Sequence, residues 1–336
     1  METNKIYNMD CLEGLRKMED NSVNLIVTDP PYYEVMTQDW RGNKYEWDKQ
    51  WENFREYLDW INEIAIECKR VLKDNGSLYM FAADKICAYI QVELDKYFNL
   101  KNNIVWVKPN HMTIKGWPNF RSYAPITERL LFYSQYWDIN SAKIIDDKIK
   151  EEHIKPNNPF SKYLRDEFER AGVIRKEIAK LFPSKNNNLT GCVSNWLNGD
   201  NIPTKEQYEK IRQYLNNEYL KAEYEDLKSE YEDLRRPFVP KKNYTDVWTF
   251  NITSSLEETK HPTQKPKEMI KRMIDTSSKE DNLVLDPFMG VGTTAVACKE
   301  LGRNYIGFEI SKEYCDIAEE RLKNSAKEEK LNKWFE

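Results

Sequence analysis

Long apolar runs are missing from this 336-residue chain. None approaches the roughly 20 residues that a membrane-spanning helix needs, and charged residues make up 32% of positions, so a soluble protein is expected. The opening stretch METNKIYNMDCLEGL lacks a basic segment followed by an apolar one, which argues against a secretory signal and for a cytoplasmic location. Metal-ligand spacing is also missing. Cys11, Cys68, Cys87, Cys192, Cys298 and Cys315 are scattered, and His111, His153 and His261 cluster neither with them nor with each other. Reduced, buried thiols and no structural metal are therefore expected. A dinucleotide-binding G-x-G-x-x-G is incomplete, because Ala295 stands three residues after Gly292, and this removes the dehydrogenase reading. Finally there is no net positive charge: the total of -5 argues weakly against a nucleic-acid partner.

The distribution of charge reverses that last impression. From 101 to 140 five basic residues face two acids, and from 159 to 217 ten face seven, each giving +3. Seven acids against two bases lie between 218 and 234, so much of the acidity is concentrated in one short piece. The middle of the chain can meet phosphates.

What is present reads as an α/β protein. KIYNMD (5 to 10), VNLIVTD (23 to 29) and GSLYMFA (76 to 82) have the apolar texture of strands, with a helical stretch from about Trp51 to Leu72 between the second and third. NNIVWVK (102 to 108) and ERLLFYS (128 to 134) suggest a hairpin around a basic, aromatic loop. NLVLD (282 to 286) and NYIGFE (304 to 309) bracket a helical TTAVACKEL, another βαβ unit. The sum is a doubly wound, mostly parallel sheet, whose ligands sit outside the carboxyl ends of its strands.

Between about 139 and 242 the texture becomes polar, Tyr-rich and helical, as in an insertion. Within 159 to 217, a helix carrying Ile178 and Leu181 precedes a second with Val193, Trp196 and Leu197 that stops at Gly199, a C-cap glycine. This pattern resembles the helix-turn-helix domains of phage repressors, although six residues, Pro183 to Asn188, separate the helices where three or four are usual. A helical spacer with its own core is the alternative. The repeat EYEDLKS–EYEDLRR (223 to 236) places Leu220, Tyr224, Leu227, Tyr231 and Leu234 at heptad spacing; a lone surface helix packing one face is favoured over a coiled coil in this 218-to-236 piece.

Two short strings carry the chemistry. DPPY (29 to 32) and DPFMGVGTT (286 to 294) each end an apolar run, one near each terminus. They resemble the signature motifs of the amino-methyltransferases, and their order resembles the permuted beta class of that family. Three further segments fall in the order of that class: MDCLEGL (9 to 15), WVKPN (106 to 110) and HPTQKP (261 to 266).

The resemblance implies a Rossmann-like methyltransferase domain whose catalytic half is 1–138 and whose cofactor half is 243–336, separated by a helical target-recognition region at 139–242. It implies S-adenosylmethionine as cofactor, DNA as partner, and transfer of a methyl group to the N6 amino group of adenine after the base is flipped out. It leaves room for a homodimer and for a partner restriction endonuclease. An exocyclic amine is a poor nucleophile because its lone pair is delocalised into the ring. The acceptors that would draw that lone pair out are Asp29 and the carbonyl of Pro30, stiffened by Pro31, with Tyr32 stacking on the base.

The cofactor pocket implied by the resemblance comprises Asp10 and Cys11 at the adenine, Thr263, Gln264 and Lys265 at the methionine part, and Asp286, Pro287, Phe288, Gly290, Gly292, Thr293, Thr294 and Glu309 from the second motif and the strand after it. Lys108 and Asn110 fall at the rim of the base pocket. Thr190, Ser194, Asn195 and Asn198 line the helix expected to meet DNA. N4-cytosine methylation needs almost the same site and stays open, as does a regulator that only binds DNA.

Overall fold

A computed structural model describes residues 1–33, 51–109, 123, 126–135, 158–241, 243–252 and 264–332. Asn110, Thr263 and the aromatic stretch of 34–50 lie outside the described residues. The chain divides into two compact units, Met1–Ala142 with Pro237–Glu336, and Lys143–Arg236.

The strands are β1 (Lys5–Asn8), β2 (Val23–Thr28), β3 (Leu72–Ala82), β4 (Asn99–Val107), β5 (Thr127–Ser134), β6 (Val247–Thr249), β7 (Leu283–Asp286) and β8 (Asn304–Glu309). The helices are α1 (Cys11–Arg16), α2 (Phe54–Val71), α3 (Cys87–Leu94), α4 (Pro159–Arg170), α5 (Arg175–Ala179), α6 (Cys192–Asn198), α7 (Lys205–Tyr214), α8 (Tyr224–Leu234), α9 (Lys267–Ser277), α10 (Thr293–Glu300) and α11 (Lys312–Asn332).

All the strands belong to one sheet in the first unit, ordered β1-β8-β7-β2-β3-β5-β4-β6. Strands β1, β8, β7, β2 and β3 run parallel; β5 is antiparallel to both β3 and β4, and β6 lies parallel to β4 at the far edge. The two runs expected to form a hairpin do pair, but β5 sits between β3 and β4 instead of outside them. Period-two alternation explains why both faces are buried. Ile26, Leu78 and Met80 point into a core with α1, α2 and α3, whereas Leu25, Val27, Tyr79 and Phe81 point into one with α9, α10 and α11. Helix α2 shows the matching helical period: Tyr57, Ile61, Ile64, Ala65, Cys68 and Val71 are buried, and the side chain of Asn53 caps its first turn by accepting from the amides of Arg55 and Glu56.

The register of the central strands positions the site. Leu25 pairs with Val284 and Ile26 with Leu285, so β2 and β7 are neighbours although they lie near opposite ends of the sequence. Both end at the same edge of the sheet, one in DPPY and the other in DPFMGVGTT.

The second unit is helical and packs around Phe160, Leu164, Trp196, Tyr208 and Ile211. Helix α6 stops at Gly199, which takes the left-handed conformation at φ 81°. The helix-turn-helix expectation needs correction here. Helix α5 ends at Ala179, so Leu181 falls outside it, and residues 180–191 separate it from α6. A bridge between Pro183 and Leu189 folds that segment back on itself, well beyond a three- or four-residue turn. The repeat forms the single helix α8, which buries Tyr224 and Leu227 on one face.

Candidate active site

Strand β2 delivers Asp29 to a closed ring of polar groups. Asp29 Oδ2 accepts a hydrogen bond from Lys265 Nζ at 2.6 Å, and Oδ1 accepts from the Tyr32 hydroxyl at 2.9 Å. That hydroxyl also lies 3.4 Å from Glu128 Oε2, and Glu128 Oε1 accepts from Lys108 Nζ at 2.9 Å. Lys265 Nζ completes the ring at 3.7 Å from Glu128 Oε2, and it sits 5.3 Å and 4.9 Å from the ring centroids of Tyr32 and Phe81. The side chains of Lys265 and Lys108 are only 9% and 10% exposed, so these are desolvated charges.

Burial and pairing compete at each group. Burial pushes the Asp29 carboxyl above its ordinary value, against the pull of the Lys265 ammonium. Burial also drives the Tyr32 phenol well up, helped by the charges of Asp29 and Glu128. Burial opposes ionisation of Glu128, but Lys265 and Lys108 together hold it below its usual range. Likewise burial works against the Lys265 charge, and Asp29 and Glu128 overcome it. Glu128 and Lys265 stay charged at neutral pH, while Asp29 has a raised proton affinity.

The second motif handles its carboxylates differently. Asp286 ends β7, where Oδ1 accepts from the Phe288 amide at 3.0 Å and Oδ2 from the Thr294 hydroxyl at 2.6 Å. Burial pushes its pKa up to about 7. Glu309 ends β8 and accepts from the amides of Gly290 at 2.9 Å and Ser311 at 2.8 Å, with its pKa raised by burial. Gly290 and Gly292 both take positive φ. A Cβ on Gly292 would lie 2.7 Å from that of Ala318, so this glycine answers to the packing of α11 as well as to the turn.

The remaining expected residues are placed as follows. Thr293 Oγ1 accepts from Arg321, Pro287 is buried, and Phe288 meets Trp60 edge-on at 5.6 Å. Asp10 caps α1 by accepting from the amides of Leu12 and Glu13, and Cys11 is buried beside it, with burial raising its thiol pKa. Gln264 and Pro31 line the cavity. Lys265 and Lys108 line the same cavity, Lys265 engaged by Asp29 and Lys108 buried on Glu128 instead of standing open at a rim. In the second unit, Asn195 and Asn198 are exposed on α6 and Ser194 is partly so, but the Thr190 hydroxyl donates to the carbonyl of Phe182.

Both motif loops open into one cavity of about 580 Å³. Among the described residues its lining carries five carboxylates (Asp10, Asp29, Glu128, Asp286, Glu309) against two ammoniums (Lys108, Lys265). A cationic ligand suits that balance; the Thr28 hydroxyl is buried beneath the lining with no hydrogen-bond partner among the described residues. S-adenosylmethionine, with one more positive than negative charge, fits the donor set. Two residues escaped the sequence reading. Glu128 is the one acid of β5, just before the apolar run Leu130–Tyr133, and that lone acid was the available signal; Thr28 carries no signal beyond its place before Asp29.

A doubly wound sheet with two motif loops meeting in one acidic cavity defines an α/β enzyme that brings two ligands together at the ends of adjacent strands. The chain belongs to the DNA methylase family, whose profile matches residues 23–320. It is similar to the Type II methyltransferase M.BglII of Bacillus subtilis, at 29% identity over 94% of this chain and 68% of that one. It is also similar to the DNA adenine methyltransferase YhdJ of Escherichia coli (strain K12), at 27% identity over 96% and 83%. Among solved structures, the PvuII cytosine-N4-specific DNA methyltransferase has a TM-score of 0.53 at 14% identity over 97% of this chain and 92% of that one. The complex of M1.HpyAVI with SAM has a TM-score of 0.50 at 22% identity over 95% and 99%. At these identities the likeness is one of fold.

Proposed function

We propose that this protein transfers a methyl group from S-adenosylmethionine to the N6 amino group of adenine in DNA. The observation that carries the reading is the placement of Asp29, with its raised proton affinity, in the cavity that also holds the loops of Asp286 and Glu309. When bound, the cofactor supplies an electrophilic methyl group on a sulfonium.

The chain's own residues do the rest. Asp29 and the Pro30 carbonyl accept the two N–H bonds of a flipped-out amine and favour a pyramidal nitrogen, with acceptors fixed before reaction. As the nitrogen gains its fourth bond, the proton it must lose goes to the Asp29 carboxylate. The Tyr32 ring stacks on the base, and its hydroxyl holds Asp29 in orientation through the 2.9 Å bond. At the cofactor end, Glu309 accepts from ribose hydroxyls, Asp10 and Cys11 approach the adenine, and Asp286, Gln264 and the turn at Gly290 receive the methionine part. Thr263 and Asn110 keep the roles the resemblance implies. In the second unit, Ser194, Asn195 and Asn198 contact DNA from α6. The Type II relatives support pairing with a restriction endonuclease.

The first Asp of the motif and the similarity to YhdJ favour adenine over cytosine. Expression in a methylation-free host, followed by hydrolysis of its DNA to nucleosides, tests this. N6-methyladenine is expected; N4-methylcytosine instead would overturn the choice of base, and neither would overturn the activity.

A further inference from the structure

Four charged groups surround the amine end of the cavity, and their sum is zero: Asp29 and Glu128 against Lys108 and Lys265. Asp29 has a role in the reaction, but Glu128 lies in none of the motifs. It nevertheless touches three of the other four members of the ring, Lys108 at 2.9 Å, Lys265 at 3.7 Å and the Tyr32 hydroxyl at 3.4 Å. Its support is rigid, since Glu128 pairs directly with Trp106 in the β4–β5 ladder. Its side chain is 20% exposed and lines the same cavity as the cofactor loops.

Removing that carboxylate would leave two desolvated ammoniums facing Asp29 alone. The local sum would become +1, both ammoniums would be drawn to Asp29, and its acceptor strength toward an amine would fall. A positive ligand in the same cavity would be repelled, because charges are weakly screened in a partly dry site.

We propose that Glu128 is a positioning residue that supplies the counter-charge of the site: it holds Lys108 and Lys265 so that Asp29 keeps its negative charge available and the cavity tolerates a cationic methyl donor. This rests on the reading of the protein as an S-adenosylmethionine-dependent enzyme. It predicts a discrimination that an ordinary structural ion pair would not produce. S-adenosylmethionine and its product S-adenosylhomocysteine differ by one methyl group and by the positive charge on sulfur, so their affinity ratio reads the local charge.

The experiment is calorimetric titration of the full-length protein with each ligand at one pH. Glu128→Gln is expected to weaken S-adenosylmethionine on the order of tenfold and S-adenosylhomocysteine by less than about twofold. Lys108→Met should shift the ratio the opposite way, toward S-adenosylmethionine, and the double variant should return it to the wild-type value. The opposite sign for Lys108→Met stands as a test even if Glu128→Gln fails to fold. Equal changes for both ligands in the single variants would overturn the proposal and reduce Glu128 to a structural partner. Failure of the wild-type protein to bind either ligand would instead overturn the cofactor assignment on which the proposal rests.

Discussion

At one end of the cavity the carboxylates of Asp29 and Glu128 face ammonium groups, while at the other those of Asp286 and Glu309 face backbone amides and a threonine hydroxyl. The two solutions have different electrical consequences. A full counter-charge favours the ionised forms of Glu128 and Lys265, although at Asp29 burial still outweighs the Lys265 ammonium. Amide dipoles satisfy hydrogen-bonding capacity without cancelling charge, so burial wins and Asp286 titrates near 7. The amine end is therefore set for geometry, and the cofactor end keeps the unpaired negative potential that attracts a cation.

The strongest way to separate the two ends is Asp29→Ala. Methyl incorporation should fall by about a thousandfold or more, in line with loss of a preorganised acceptor, while calorimetric affinity for S-adenosylhomocysteine, which lacks the sulfonium charge, stays within about twofold. Comparable loss at both would merge the two ends. Next comes Tyr32, where Ala should lower turnover by roughly a hundredfold and Phe by only a few fold, since stacking outweighs one hydrogen bond; equal losses would move the role to the hydroxyl.

A smaller effect should appear in pH dependence. Between pH 6 and 7.5, affinity for S-adenosylmethionine should rise by up to about tenfold as Asp286 ionises, and Asp286→Asn should flatten that slope. The sign for stability is opposite. A carboxyl whose folded pKa is raised from 3.8 to about 7 contributes stability that is complete below about 4 and is lost as pH rises through about 7, so the thermal midpoint of the Asn variant should depend less on pH over that window. The smallest change concerns Thr28: Val should raise the thermal midpoint slightly by removing a buried hydroxyl that has no partner among the described residues. A lowered midpoint would show that the hydroxyl is bonded.

The central strands were legible because each apolar run ends in a residue that cannot continue it, as Pro30 follows Asp29 and Pro287 follows Asp286. The glycine stop of α6 was legible for the same local reason. What the sequence concealed is non-local. Glu128 reaches Lys108 only through the antiparallel register of β5 on β4, and Lys265 meets Asp29 only because their segments converge on one cavity. No spacing rule links such positions. The separation of α5 from α6 was misjudged because Leu181 continues the helical period of Ile178, while a bridge at Pro183 ends the segment instead.

The pairing of β2 with β7 has a consequence for how this protein can be cut. The two motif strands are held side by side by ladder hydrogen bonds, Leu25 opposite Val284 and Ile26 opposite Leu285, and not by the peptide chain between them. A polypeptide severed in its middle still carries each half of the cavity on its own fragment, with complementary strand edges to bring them together. Reunion of two separately made pieces would then switch the enzyme on.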